Sequence, residues 1–364
     1  MELYIHIPFC KKKCDYCDFY SIMPCEKFNL DNYISTLLKE ITLAGKKYGD
    51  RDITTIFIGG GTPSLLTNSQ LDLIFDSLNK SFNLSKVEEI TIESNPESIT
   101  EDFLKHCKDF KINRISIGVQ SLFDDNLKAV GRIHDKKTAL ESLKLANKYF
   151  DKISADLIIG LPYDTEEIVR NEIIELSQYV NHMSCYELML NPDTKLYKNI
   201  EDKKLSVPND DEVATLFDVA IDELQKQGFT RYEVSNFSKT HTCKHNMGYW
   251  DREEYLGFGP SAHSFVKDGK EFRFSNVDDI DQYINIVKNK NIYPFMDVEI
   301  LSQKDIEEEK IFLSLRTTKG ISKMYFTTKQ LEKFKDFIIV KGDNVSLNNK
   351  GFAVMDSITI DLFP

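Results

Sequence analysis

Six short apolar runs, each ending in polar or glycine-rich residues, limit the folds open to this chain more than any other feature. They lie at residues 2–8, 53–58, 88–93, 112–117, 153–159 and 183–190. Between them stand helical patterns at 27–48, 69–80, 100–108, 135–149 and 165–180. In the first, Phe28, Tyr33, Ile34, Leu37, Leu38 and Ile41 recur at the spacing of one helix face. Strand–helix alternation repeated in this way predicts an α/β protein built from parallel βαβ units. Six units rather than eight predict a partial (β/α)6 TIM-like barrel, splayed on one side to admit a large ligand. Barrels of this class hold their sites at the C-terminal ends of the strands, where the polar residues of this chain recur.

After Asn191 the alternation stops. An amphipathic helix at 211–227 and a short strand at 231–234 close a first region, 1–235, the barrel. Residues 236–299 read as a connecting segment dense in Asn, His, Gly and aromatics, with a helix at 279–290. From residue 300 a helix with Ile306, Ile311, Phe312 and Leu315, a second near 327–337, and strands at 337–340 and 344–347 give the order of a winged-helix-like C-terminal domain, 300–364. Such modules often bind DNA, but this one carries Glu307, Glu308 and Glu309, and the whole chain has a net charge of −12. Both count against nucleic acid as the main partner, including an RNA-modifying role. No run reaches the roughly 18 apolar residues of a membrane span. No signal peptide is evident, so the expected compartment is the cytoplasm, with thiols kept reduced.

The chemistry is concentrated in the first loop. Cys10, Cys14 and Cys17 form a C-x3-C-x2-C array directly after the first strand, with Tyr16 just before the last Cys. A C-x-x-C pair alone fits zinc or redox motifs. Three clustered thiolates fit three corners of a [4Fe–4S] cluster and leave the fourth iron open to an exchangeable chelator. S-adenosylmethionine (SAM), with its adjacent amino and carboxylate groups, suits that position. Cys25, eight residues beyond Cys17, reads as structural. Lys11, Lys12 and Lys13 are either a solvated loop or a site for an acidic electron donor.

Further candidates sit at successive strand ends. Gly59, Gly60, Gly61 and Thr62 follow the second strand in a turn whose glycines let a ligand reach the backbone. Glu93 and Asp156 are carboxylates at inward barrel positions, costly unless they meet a partner such as ribose hydroxyls or an amino group. Gln120 ends the fourth strand, and Arg132 can pair with a ligand carboxylate. Singly, each reads as well as a structural ion pair. A second dense stretch, His245-Asn-Met-Gly-Tyr-Trp, holds the single Trp of the chain. Imidazole ligates haem iron and aromatics suit a porphyrin face, yet a lone His is more often a hydrogen-bonded core residue. Cys243 nearby reads as a bystander, and His263, in Gly257-Phe-Gly-Pro-Ser-Ala-His, as structural.

Tyr4-Ile-His-Ile-Pro-Phe-Cys, Gly59-Gly-Gly-Thr-Pro-Ser, Ser116-Ile-Gly-Val-Gln-Ser, Gly131-Arg-Ile-His, Asp156-Leu-Ile-Ile-Gly-Leu-Pro and His245-Asn-Met-Gly-Tyr-Trp together resemble the oxygen-independent coproporphyrinogen III oxidase-like radical SAM family, most closely its haem-chaperone branch. The resemblance covers nearly the whole chain. It implies a [4Fe–4S] cluster on Cys10, Cys14 and Cys17. It implies SAM contacts from Tyr4, Tyr16, Gly59, Gly60, Gly61, Thr62, Glu93, Gln120, Arg132 and Asp156. It also implies a haem site at His245, Asn246, Tyr249 and Trp250. The implied partners are haem or another porphyrin, an electron donor, and a haem-accepting protein such as a membrane respiratory enzyme, which would place the chaperone at a membrane periphery. The alternative from the same family is oxidative decarboxylation of coproporphyrinogen III. The oxidases carry a further Cys two residues after the third ligand, where this chain has Phe19, and a longer N-terminal extension. Both departures favour the chaperone branch.

Overall fold

The computed structural model describes residues 1–26 and 28–363. The expected strands form β1 (Glu2–Ile7), β2 (Thr55–Gly60), β3 (Glu89–Ser94), β4 (Arg114–Gln120), β5 (Lys152–Ile159) and β6 (His182–Glu187). They pair in parallel and in sequence order. Along each strand the side chains alternate between two faces. Leu3, Ile5, Ile7, Ile56, Ile58, Ile92, Ile115 and Ile117 are fully buried on the helix-facing side. Each such side chain contributes about 1.5–3 kcal/mol through burial. The intervening residues Tyr4, Phe57, Glu93, Ser116, Asp156 and Ser184 line the interior of the barrel.

The helices match the periodicity. Leu30–Tyr48 buries Tyr33, Ile34, Leu37 and Ile41 and begins at Asn29, whose side chain accepts from the backbone of Asn32. The expected start at Lys27 lies outside the described residues. Helices Asp124–Ala129 and Lys195–Glu201 were not expected; both are short.

The expected connecting segment, 236–299, is largely sheet. β7 (Thr230–Arg231) and β8 (Asn236–Ser238) extend the β6 edge in antiparallel fashion. β9 (Tyr255–Phe258) is a seventh parallel strand, beside β1. β10 (His263–Asp268), β11 (Lys270–Asn276) and β12 (Phe295–Ile300) continue that edge antiparallel. The twelve strands make one open sheet in which β1 and β6 do not meet. The helix expected at 279–290 is α-helical over Ile280–Ile284 and continues as a π-turn over Asn285–Asn289.

Helix Gln303–Leu315 opens the C-terminal unit. β13 (Ile321–Ser322), helix Thr328–Lys333 and the hairpin of β14 (Ile338–Lys341) and β15 (Asn344–Leu347) follow. Two further helices, Asn349–Ala353 and Met355–Leu362, complete the unit, which has its own small core around Leu315, Val345 and Ile358.

Candidate functional site

The loop after β1 is stitched down by its backbone. Cys10 N–H donates to Ile22 O (3.0 Å), Asp15 N–H to Val130 O (3.0 Å) and Leu196 N–H to Asp15 O (2.7 Å). Asp15 is also paired with Lys195 at 2.8 Å, and Gly131, at φ 76°, leaves room for its carboxylate. The three thiols are free and half-buried. Burial raises the Cys10 and Cys17 thiols above their ordinary range. Thr62 opposes this at Cys10, its Oγ1 donating to Cys10 Sγ (3.5 Å), and Arg132 Nη1 donates to Cys14 Sγ at 3.4 Å. Among the described residues no three His, Cys, Asp or Glu side chains converge on a single metal ion. Three free thiols on one loop, with the Arg132 guanidinium beside one of them, are the donor type that a four-iron cluster takes.

One residue that sequence reasoning passed over links the cradle. Asn95, just after β3, donates from Nδ2 to Thr62 Oγ1 (2.9 Å) and accepts at Oδ1 from Arg132 Nη2 (2.8 Å). Arg132 Nη2 also donates to Gly118 O at 2.6 Å. Burial opposes the Arg132 charge, but Tyr16, Cys14 and Glu97 around it hold the guanidinium protonated. The only sequence signal for Asn95 was its place one residue past a strand.

The glycine turn closes the opposite wall. Glu93 Oε2 accepts from Gly60 N–H at 3.0 Å. Gly60 has φ 107°, and a Cβ there would overlap the His6 ring; a Cβ on Gly61 would lie 2.7 Å from Phe9 O. His6 is fixed through Nδ1 by the Tyr4 hydroxyl (2.9 Å) and through Nε2 by Tyr20 O (2.9 Å). Burial, and then the neighbouring Asp156, push Glu93 up to about 7. Burial also raises Asp156, against hydrogen bonds that include Ser116 Oγ at 3.1 Å. Gln120 ends β4 at φ 67°, beside the same Arg132–Gly118 contact. The structure thus brings together ten of the residues expected at the cluster and SAM: Cys10, Cys14, Tyr4, Gly60, Gly61, Thr62, Glu93, Gln120, Arg132 and Asp156.

The second motif meets the same barrel interior from the other end. Helix Lys244–Trp250 packs against the first residues of the strands, at the end of the barrel opposite the thiols. His245 N–H donates to Glu89 Oε1 (3.2 Å), and Gly248 sits against Glu2 so closely that no Cβ fits. The His245 imidazole is stacked on Phe57 and 1% exposed. Its Nδ1 is 2.7 Å from Thr55 Oγ1 and its Nε2 2.9 Å from the Tyr249 hydroxyl. Burial, and then the Arg114 charge, depress it to about 3. His245, Asn246 and Tyr249 face a cavity of about 140 Å³ shared with Tyr4, Glu93 and Asp156. That is below the range of roughly 300–1,000 Å³ usual for small-molecule sites. Trp250 points away, its ring 4.9 Å from the Arg316 guanidinium of the C-terminal unit. The four residues expected at haem thus divide: His245, Asn246 and Tyr249 line the cavity, and Trp250 packs on the C-terminal unit. Both imidazole nitrogens are taken, and the motif acts as a plug between barrel and C-terminal unit, the hydrogen-bonded core role that bare chemistry favoured.

A larger cleft of about 480 Å³ opens at the thiol end. It is lined by Tyr4, His6, Gly60 and Glu93, by Phe19, Tyr20, Tyr255 and His263, and by Tyr249 of the H-N-x-x-Y-W helix.

The sequence profile of the Radical SAM superfamily matches residues 4–173. The chain is 36% identical to the heme chaperone HemW of Bacillus subtilis, over 90% of this chain and 86% of that protein. It is 33% identical to the heme chaperone HemW of Lactococcus lactis, over 90% and 84%. Among solved structures, the coproporphyrinogen III oxidase HemN of Escherichia coli superposes with a TM-score of 0.86, covering 100% of this chain and 89% of that one, at 22% identity. That likeness concerns the fold.

Proposed function

Since this chain belongs to the radical SAM superfamily, in the HemW branch of the coproporphyrinogen III oxidase-like family, we propose that it is a haem chaperone, which binds haem and passes it to a haem-requiring protein. The observation that carries this reading is its similarity to curated heme chaperones over most of both chains. At the mouth, Cys10, Cys14 and Cys17 would hold a [4Fe–4S] cluster. Tyr4, Tyr16, the Gly59–Thr62 turn, Glu93, Gln120, Arg132 and Asp156 would hold SAM. When bound, the cluster and SAM supply one-electron chemistry, the cluster as donor and the sulfonium as acceptor. The protein's own part is to orient and shield. Arg132 offers a fixed cation at Cys14, Asn95 couples it to Thr62, and the glycines let a ligand approach the backbone.

The finer partners follow from the same reading. An electron donor with an acidic face would meet Lys11, Lys12 and Lys13, all exposed beside the thiols. The proposed recipient is a membrane respiratory enzyme, approached from the membrane periphery. Among the described residues no helix is long and apolar enough to cross a membrane.

The test is anaerobic reconstitution followed by haem titration and transfer to an apo-acceptor, with 5′-deoxyadenosine and protoporphyrinogen measured in parallel. Near-stoichiometric haem uptake and transfer are expected. Formation of protoporphyrinogen from coproporphyrinogen III with SAM and a reductant would overturn the chaperone reading in favour of the oxidase.

A further inference from the structure

Resting on the haem-binding reading, with His245 as the iron ligand, we propose that the C-terminal unit is a latch on the H-N-x-x-Y-W helix, and that haem is taken up only when Trp250, Asp251 and Arg252 come free of it. Three observations carry this. The first is access. The His245 ring is 1% exposed, and the cavity it faces, at about 140 Å³, is smaller than the roughly 300–1,000 Å³ of sites that hold small molecules. A porphyrin reaches this imidazole only if its cover moves. The strands around it are tied to one another by ladders of backbone hydrogen bonds, whereas the cover is a single seven-residue helix.

The second is articulation. The helix follows an irregular run in which Lys239, Thr240 and Thr242 are exposed, and it is succeeded by Arg252, whose φ of 56° is left-handed. A non-glycine residue keeps that conformation only where its surroundings impose it, and such positions cluster in switch regions. The helix thus lies between two joints, and hinges of this kind absorb changes in φ and ψ while the elements they connect stay intact.

The third is the fastening. Three consecutive residues at the C-terminal end of the helix each meet one residue of the C-terminal unit. The Trp250 ring lies 4.9 Å from the Arg316 guanidinium, Asp251 pairs with Lys319 at 2.5 Å, and Arg252 pairs with Glu309 at 2.6 Å. Arg316 and Lys319 are presented from a fixed base, because Val234 N–H donates to Arg316 O (2.9 Å) and Thr318 N–H to Tyr232 O (3.0 Å). The Tyr232 hydroxyl in turn accepts from Cys243 N–H at 3.2 Å, so the same junction holds the start of the helix. Apparent affinity falls with the fraction of molecules in the competent state, here the one with the latch open. Loosening the latch therefore speeds and tightens haem uptake, the reverse of losing a haem contact.

The test uses full-length protein with cluster and SAM in place, mixed anaerobically with hemin in a stopped-flow spectrometer and followed in the Soret band. R316A removes the cation over Trp250 and is expected to speed hemin association roughly tenfold with the final spectrum unchanged. K319D sets a carboxylate against Asp251 at exposed positions, where folding is undisturbed, and is expected to speed association roughly threefold. The exchanged pair D251K/K319D is expected to return the wild-type rate. Amide hydrogen exchange over residues 244–250, measured without haem, is expected to rise by the same factors while the barrel strands stay protected. Wild-type hemin rates in both R316A and K319D, or unaltered exchange of the helix in R316A, would overturn the latch while leaving haem binding intact. Failure of wild-type protein to bind hemin, or a wild-type Soret band in H245Q, would instead remove the reading beneath it, and the exchange measurement would still decide whether the helix is latched.

Discussion

The state of His245 can be measured without any cofactor, through its proton. In the fold the imidazole is held near 3 by burial and then by Arg114, whereas in the unfolded chain it titrates near 6.5. Glu2 Oε2 lies only 3.9 Å from Nδ1, but burial pushes that carboxyl up to about 8, so near neutrality it is protonated and gives no ion pair. The sign follows from linkage. Below pH 6.5 the unfolded chain binds a proton that the folded one refuses, so stability is fullest above 6.5 and falls with pH down to about 3. Between pH 7.5 and 5 this amounts to about 2 kcal/mol, since the unfolded imidazole goes from about 10% to about 97% protonated while the folded one stays neutral. His6, His182 and His241 are also depressed by burial, so the wild-type slope is steeper than one residue accounts for. The difference from H245Q isolates the one ring, and the Gln amide can still meet Thr55 and Tyr249. Urea unfolding followed by circular dichroism is expected to show H245Q gaining about 2 kcal/mol relative to wild type between pH 7.5 and 5. An unchanged difference between the two pH values would mean that the imidazole takes up protons in the fold, and the sealed-plug argument would fail with it.

Two other substitutions probe the ends of the barrel. Glu2 runs in the opposite sense: its folded value near 8 lies above the unfolded 4.5, so it costs stability as pH rises through that window. E2Q should therefore gain roughly 3 kcal/mol relative to wild type between pH 5 and 8, read from the same urea midpoints. At the other end, G60A places a side chain at φ 107° against the His6 ring, which Tyr4 and Tyr20 hold in place. A loss of roughly 3 kcal/mol is expected by thermal unfolding, together with weaker SAM binding by isothermal titration; a stable variant with unaltered affinity would show the turn to be spacious.

Much of this was legible from residue order. Local periodicity located β1 to β6 and their helices because those elements bury one continuous face, and such burial leaves a pattern along the chain. It missed β9, four residues running into a glycine turn, and β10 to β12, since strands with a solvent-facing side read as polar loop; every residue of β12 is exposed. The C-x3-C-x2-C spacing announced the mouth because three ligands from one loop are a local fact. Asn95 stayed hidden: its importance lies in meeting Thr62 and Arg132, which are 33 and 37 positions away.

His245 and His263 mark the boundary between the two kinds of information. Residue order established that both exist, that one sits in an aromatic-rich helix and the other beyond a glycine turn. Whether an imidazole nitrogen is free to bind iron depends on which groups the fold sets within 3 Å of it. Tyr249 meets His245 from one turn along the same helix, but Thr55 reaches it only once that helix packs on the barrel, while the turn before His263 is held toward the open cleft by Glu40 from the first helix. Composition and spacing name the chemistry available to a chain, and tertiary contacts decide which of those groups remain unspent.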